Sequence, residues 1–315
     1  MNKKEYKYLY GPVPSRRLGL SLGVDIIPPK YCTYNCIYCQ LSHTDHHIIE
    51  RRSFMPVDDV VEEIEQKISE NSVKPDYITF SGSGEPTLNA DIGSMIQRIK
   101  KITNIPVAVI TNGSLLWMKE VRDDLLKADL LVPSMDAIVE KQFKKINRPH
   151  RDLKLDEIKR GLLDFSRTFK GSIWLEIMLV KDINDNEENI NALVDYVKQL
   201  GPERVQLNTV ARPPVESYAK PLNPAKLKEI ATRFTPRADV TSMYVPKEKE
   251  HHTIKAKSDE ILNLLSRRPC SPKDIENSLQ YHPQEIMKAL RILEEEGKID
   301  SRITDGVRFY MRISK

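Results

Sequence analysis

The chain has 315 residues, with 49 Lys and Arg against 45 Asp and Glu, a net charge of +4, 40% hydrophobic and 30% charged residues. That balance is ordinary for a globular protein with room for one large domain and a small one, and it excludes a global attraction to nucleic acid. Four cysteines, three of them clustered, exclude a secreted disulfide scaffold, no apolar run reads as a signal peptide or a bilayer span, and a reducing cytoplasm is the expected setting.

Residues 11–19 are rich in Pro, Gly and Arg and read as a turn, with Arg16 or Arg17 either solvated or binding an anion. Residues 20–27 read as a first strand, which Pro28 and Pro29 end. The stretch Tyr31-Cys32-Thr33-Tyr34-Asn35-Cys36-Ile37-Tyr38-Cys39-Gln40 follows at its C-terminal end. Three thiols so close must converge on something, because structural thiols are normally scattered through a core. The spacing admits a structural zinc site completed by His43, a disulfide with a spare thiol, or a [4Fe–4S] cluster on three cysteines that keeps one iron open. His43, His46 and His47 otherwise line a solvated loop.

Residues 56–71 have helical spacing, with Val57, Val60, Val61, Ile64 and Ile68 on one stripe. A strand at 76–80 leads into the glycine-rich Ser81-Gly82-Ser83-Gly84-Glu85-Pro86-Thr87, whose backbone can approach a ligand closely. Helix 88–101 and strand 105–110 follow, the latter ended by Thr111-Asn112-Gly113, a turn by default and a ligand-facing position by its place after a strand. Helix 117–126 and strand 130–132 precede Ser134 and Asp136. Helix 156–168, strand 173–180, helix 187–200 and strand 204–209 complete six strands alternating with helices. Alternation of this kind means a parallel sheet, and six units fall short of the eight that close a barrel. The fold class is therefore α/β, a partial (βα)6 TIM-like barrel over residues 1–245, with its chemistry at the C-terminal strand ends. Glu176 lies inside the fifth strand among apolar neighbours and needs a partner, either a ligand hydroxyl or a buried cation.

Residues 246–256 are polar and charged and read as a linker. Beyond it, three helical stretches precede a hairpin around Asp305-Gly306, an order that looks like a winged helix domain over 257–315. Residues 251–315 carry twelve Lys and Arg against ten Asp and Glu; the third helix ends in Glu294-Glu295-Glu296, and Arg302, Arg308 and Arg312 make the hairpin the more basic face. Cys270 stands alone there and reads as a packing residue.

The C-x3-C-x2-C loop with aromatic Tyr38 before the last cysteine resembles the signature of the radical S-adenosylmethionine (SAM) superfamily. The Tyr10-Gly11-Pro12-Val13-Pro14-Ser15-Arg16-Arg17-Leu18-Gly19 segment before it and Gln40 after it resemble a branch of iron–sulfur oxidoreductases loosely grouped with the wyosine-type tRNA enzymes. Ser83-Gly84-Glu85-Pro86 resembles that superfamily's Gly-Gly-Glu-Pro motif, with Ser83 in place of the first glycine. The two motifs, each after its own strand, favour the cluster reading of the cysteine loop.

The resemblance implies that Cys32, Cys36 and Cys39 hold a [4Fe–4S] cluster whose open iron binds SAM. It implies that Gly84 and Glu85 hold the SAM amino group and that Tyr38 lies near the adenine. Asn112, Ser134, Asp136 and Glu176 are candidates for the rest of SAM, and Arg148, His150, Asn208 and Arg212 for an anionic or polar substrate. The expected reaction is reductive cleavage of SAM to a 5′-deoxyadenosyl radical that abstracts hydrogen from an RNA or protein substrate, fed by a low-potential flavodoxin- or ferredoxin-type donor. A zinc-bearing winged helix protein that binds nucleic acid and a glycyl-radical activase are the alternatives. The superfamily's wyosine enzymes need further cysteines, which this chain lacks, and its fifth-strand glycine motif is not evident here.

Overall fold

The computed structural model describes residues 6–15, 17–41, 43–70, 74–240, 254–279, 281, 283–304 and 306–313. Arg16, Asp305 and most of the expected linker lie outside the described residues.

The first described strand, β1 (Leu9–Ser15), covers ground expected to be a turn. It runs antiparallel to β2 (Gly19–Val24), with Gly11 at φ +91° where the register slips. A proline-bearing strand with an irregular register is tolerated here because β1 is the sheet edge. Then come the two-residue strands β3 (Tyr31–Cys32) and β4 (His46–His47), paired parallel to each other, so the exposed His46 and the half-buried His47 lie in a short strand rather than in the loop expected.

Helix α1 (Val57–Glu70) buries Val60, Val61 and Ile64. Next are β5 (Tyr77–Phe80), α2 (Ile92–Ile102), β6 (Val107–Thr111), α3 (Lys119–Leu125) and β7 (Leu130–Pro133). A short helix absent from the sequence reading, α4 (Glu140–Ile146), precedes α5 (Leu155–Thr168). The barrel ends with β8 (Ser172–Leu179), α6 (Glu187–Leu200), β9 (Arg204–Thr209), α7 (Pro224–Ala231) and β10 (Asp239–Val240). Helix α7 and β10 were also not foreseen.

The strand order is β1-β2-β5-β6-β7-β8-β9-β10, parallel from β2 onward. The six expected strands thus lie in chain order in one open parallel sheet, a partial TIM-like barrel. Strand residues alternate between two apolar layers: Val107, Val109 and Leu131 face the helices, while Ala108, Leu130 and Val132 line the inner face with Leu18 and Trp174. Burial on both faces explains why these strands read as near-continuous apolar runs.

Helices α8 (Ile254–Leu265), α9 (Pro272–Leu279) and α10 (Pro283–Glu295) and the antiparallel pair β11 (Ile299–Thr304) and β12 (Val307–Arg312) follow in the expected order. Helix α8 begins at Ile254, inside the expected linker. This unit has its own core of Ile261, Leu265, Ile275, Leu290, Leu293 and Tyr310, into which the buried Cys270 packs. Among the described residues no helix is long and apolar enough to cross a membrane.

Candidate functional site

The parallel strands all point their C-terminal ends at one face, and the polar side chains gather there. Two loops cross. The cysteine loop leaves β2, and the glycine-rich loop leaves β5. The Glu85 amide donates to the Tyr31 carbonyl at 3.1 Å, and the Lys30 amide to the Ser83 carbonyl at 2.9 Å. Gly84 is required at this crossing: a Cβ there would stand 2.1 Å from the Tyr31 carbonyl oxygen and 2.6 Å from Ile27.

Cys32, Cys36 and Cys39 are all reduced and partly accessible. Asn112 aims its Nδ2 at Cys32 Sγ at 3.6 Å, and Asn147 aims its Nδ2 at Cys36 Sγ at 3.5 Å. Amide donors directed at sulfur suit thiolates that carry negative charge, as cluster ligands do. Burial pushes the Cys32 thiol up to about 12, with the Glu85 carboxylate adding to it. Burial and the charge of Asp136 push Cys36 well up, and burial raises Cys39. Among the described residues no three His, Cys, Asp or Glu side chains converge closely enough to share a single ion. A cube that gives each thiolate its own iron does not ask for that convergence, and His43 is exposed.

Glu85 is 2% exposed. Its Oε1 accepts from Thr87 N at 3.0 Å, Thr87 Oγ1 at 2.6 Å and Thr111 Oγ1 at 2.6 Å, and its Oε2 accepts from Asn112 N at 2.7 Å. Burial raises its pKa, and the Thr111, Thr87 and Asn112 donors work against that rise. Oε2 carries one of the four donors and keeps acceptor capacity for a cationic group. Asn112 braces the cysteine loop: its Nδ2 also donates to Thr33 Oγ1 at 2.7 Å, and its Oδ1 accepts from Ser114 N at 2.9 Å.

Asp136 is 2% exposed, and the protein takes up its carboxylate. Oδ2 accepts from the Tyr38 hydroxyl at 2.6 Å and from Asn147 Nδ2 at 2.7 Å, while Oδ1 accepts from Met178 N at 2.8 Å. Burial raises the Asp136 pKa, against the pull of Tyr38. This carboxylate therefore ties the cysteine loop to β8. The Tyr38 phenol is spent on the same bond, which leaves its backbone for any contact with adenine. Ser134 pairs with Glu176 across β7 and β8 in a parallel bridge.

Glu176 is held in an ion pair with Arg17, and its Oε1 accepts from Asn208 Nδ2 at 2.7 Å. Arg17 supplies a cationic partner that is partly exposed rather than buried, and Asn208 belongs with Glu176. Arg148, at φ +44°, donates to Glu216 Oε1 at 2.6 Å and to the Tyr218 hydroxyl at 2.7 Å. His150 lies beside His47, on the outer side of the cysteine loop. Arg212 faces Asp274 of α9 at 3.7 Å. The four substrate candidates are thus dispersed rather than gathered in one pocket: Asn208 is inside the barrel mouth, Arg148 and His150 are outside the loop, and Arg212 is at the C-terminal unit.

Several residues that build this site were not singled out from sequence. Asn147 bridges Cys36 and Asp136, yet it sits beside Arg148 in Ile146-Asn147-Arg148-Pro149-His150, where the charged neighbours drew the eye. Thr87 and Thr111 flank motifs already noted. Asp25, at the end of β2, accepts from Ser83 Oγ at 2.7 Å and pairs with Arg267 of the C-terminal unit, whose guanidinium lies 4.7 Å over the Tyr10 ring. Only the three-dimensional fold reveals that pair.

A family model described as the radical SAM superfamily matches residues 26–194, from the end of β2 into α6. The chain is 36% identical over 307 residues to the UPF0026 protein MJ1312 of Methanocaldococcus jannaschii, covering 96% of this chain and 95% of that one. It is 40% identical over 313 residues to a GTPase Obg of Brachyspira hyodysenteriae, covering 98% of this chain and spanning only 46% of that protein's length. A radical SAM methyltransferase from Sphaerobacter thermophilus shares the fold, with a TM-score of 0.51, 16% identity, and coverage of 70% of this chain and 65% of that one. The chain belongs to the radical SAM superfamily, enzymes whose cofactors are a [4Fe–4S] cluster and S-adenosylmethionine and which draw on an external reductant.

Proposed function

We propose that Cys32, Cys36 and Cys39 hold the cluster, and that the chain uses it to open SAM reductively for hydrogen abstraction from a macromolecular substrate. The observation that supports this is the crossing of the two loops, which brings Cys32 of the three-cysteine loop together with the Gly84 backbone and the half-engaged Glu85 carboxylate. When bound, the cluster supplies one electron to SAM and thereby a 5′-deoxyadenosyl radical.

The chain's own residues prepare that event. Asn112 and Asn147 donate to the thiolate sulfurs and stabilise their charge. Glu85 Oε2 and the Gly84 backbone receive the amino group of SAM. Asp136, through Tyr38 and Asn147, holds the cysteine loop at a fixed distance from β8, and the apolar layer closed by Leu18 and Trp174 keeps water out of the barrel floor.

The C-terminal unit reads as a winged helix, joined to the barrel near residues 246–256 and packed at the rim of the same mouth. An appended unit there suits an RNA or protein substrate. A cytoplasmic setting and a low-potential flavodoxin- or ferredoxin-type donor complete the reading.

Anaerobic reconstitution with iron and sulfide tests it. A brown protein that yields 5′-deoxyadenosine from SAM under dithionite is expected. A colourless protein that retains stoichiometric zinc, and loses it when His43 is replaced, would overturn it.

A further inference from the structure

A cleft of about 390 Å³ opens on the outer side of the cysteine loop, lined chiefly by Asn35, His47, Lys144, Arg148, His150 and Arg151. Its lining residues are tied to the loop's backbone. The Thr33 carbonyl accepts from His47 Nε2 at 2.9 Å and from the His150 amide at 2.9 Å. The Asn35 amide donates to the carbonyls of Asn147 and Arg148 at 3.0 and 3.1 Å. The other side of Thr33 faces inward, its Oγ1 meeting Ser114 and Asn112 beside Glu85. The cleft therefore reaches Asn35, one residue from Cys36, and lies on the side of the loop away from the proposed SAM pocket.

Its rim is cationic. Residues 141–154 hold six Lys and Arg against one Asp, in a chain whose whole net charge is +4. Lys141, Lys144, Lys145, Arg151 and Lys154 are all exposed. Glu140 pairs with Lys144 at 3.0 Å, Glu216 with Arg148 at 2.6 Å, Glu157 with Lys154 at 3.2 Å and Asp152 with Arg151 at 3.9 Å, while Lys141 and Lys145 carry no ion pair among the described residues. The Thr33 carbonyl can only accept, so His47 Nε2 carries a proton, and burial lowers the His47 pKa, which disfavours a charge on that ring.

We propose that this cleft and its basic rim are the docking surface for an acidic one-electron carrier protein. The inference rests on the proposed cluster at Cys32, Cys36 and Cys39. One electron passes from the reduced carrier to the oxidised cluster, and no atom is transferred. SAM, on the open iron, blocks the inner approach, and the substrate needs that side to meet it. The outer face of the loop is the approach that leaves both undisturbed. A basic rim raises the encounter rate with an acidic partner by one to three orders of magnitude and makes it salt-dependent.

Calorimetry on the anaerobically reconstituted full chain, with an oxidised bacterial flavodoxin as probe, tests the surface. The wild type should bind with an affinity that falls as salt rises. The Lys144→Glu/Arg151→Glu variant should bind at least about tenfold more weakly and need correspondingly more reduced flavodoxin for half-maximal 5′-deoxyadenosine formation. Its dithionite-driven rate should stay within about twofold of the wild type, because a small reductant needs no docking. Should the double variant melt early, Lys145→Gln/Lys154→Gln should show the same direction with a smaller shift. Flavodoxin binding that is absent in the wild type, or unchanged in both variants, overturns the proposal. So does a variant that keeps flavodoxin and loses a bound tRNA instead. Absence of dithionite-driven cleavage in the wild type would count against the proposed reaction, while the calorimetry still decides the surface.

Discussion

The barrel mouth and the C-terminal unit are held by different physics. At the mouth, buried carboxylates are held in place by protein donors: Glu85 takes four hydrogen bonds, three of them on Oε1, and Asp136 takes three. The C-terminal unit has a separate apolar core and meets the barrel through scattered polar contacts, among them Arg267 with Asp25, Arg212 with Asp274, and Arg302 donating to the Pro214 carbonyl at 3.4 Å. A hydrogen-bonded buried network specifies one geometry, whereas a docked unit joined by ion pairs can be moved at modest cost. The mouth is built to hold still and the appended unit to be adjustable.

The strongest test of that contrast is Cys36→Ala. Iron and sulfide content should fall to near zero and 5′-deoxyadenosine should disappear, because two remaining thiols cannot retain the cluster. Gly84→Ala comes next. Its Cβ would meet backbone at the loop crossing, so a loss of about 3 kcal/mol is expected in a denaturant melt, with weakened SAM binding.

Asp136→Asn swaps a carboxylate that accepts three bonds for an amide that must point N–H at an existing donor. It should cost about 2–3 kcal/mol in the barrel transition and leave any separate transition of the C-terminal unit in place. Arg267→Ala should behave oppositely. It removes about 1.5–2 kcal/mol of charge-assisted bonding at the junction, seen as faster hydrogen exchange in α8 and α9 with the barrel strands unchanged. Equal acceleration in both regions would break the comparison. Lys119→Ala removes an exposed pair with Asp123, and a shift under about 0.5 kcal/mol is expected.

Much of the barrel was legible because its parallel strands are doubly buried and spell apolar runs between amphipathic helices. The edges were not. β1 carries two prolines and a bulge, β10 is two residues long, and both owe their pairing to a neighbour strand rather than to their own pattern. The motif residues were legible as ligand types but not as individual bonds. Glu176 lies within an apolar strand and Asp136 just after one, and sequence offered no way to see that Arg17 would reach the first and Tyr38 with Asn147 the second. The substrate candidates failed to gather for a related reason: their grouping depended on where long loops return, and the segment after β9 folds back onto the cysteine loop.

That segment has a consequence for life in air. Val215 N donates to the Cys39 carbonyl at 3.0 Å and Glu216 N to the Ile37 carbonyl at 3.1 Å, so a strap from the last large loop is bound along the cysteine loop beside Cys39. Such a strap would limit solvent access to a cluster held there. Shortening the stretch between β9 and α7 would therefore be expected to shorten the cluster's lifetime under oxygen before it altered the fold.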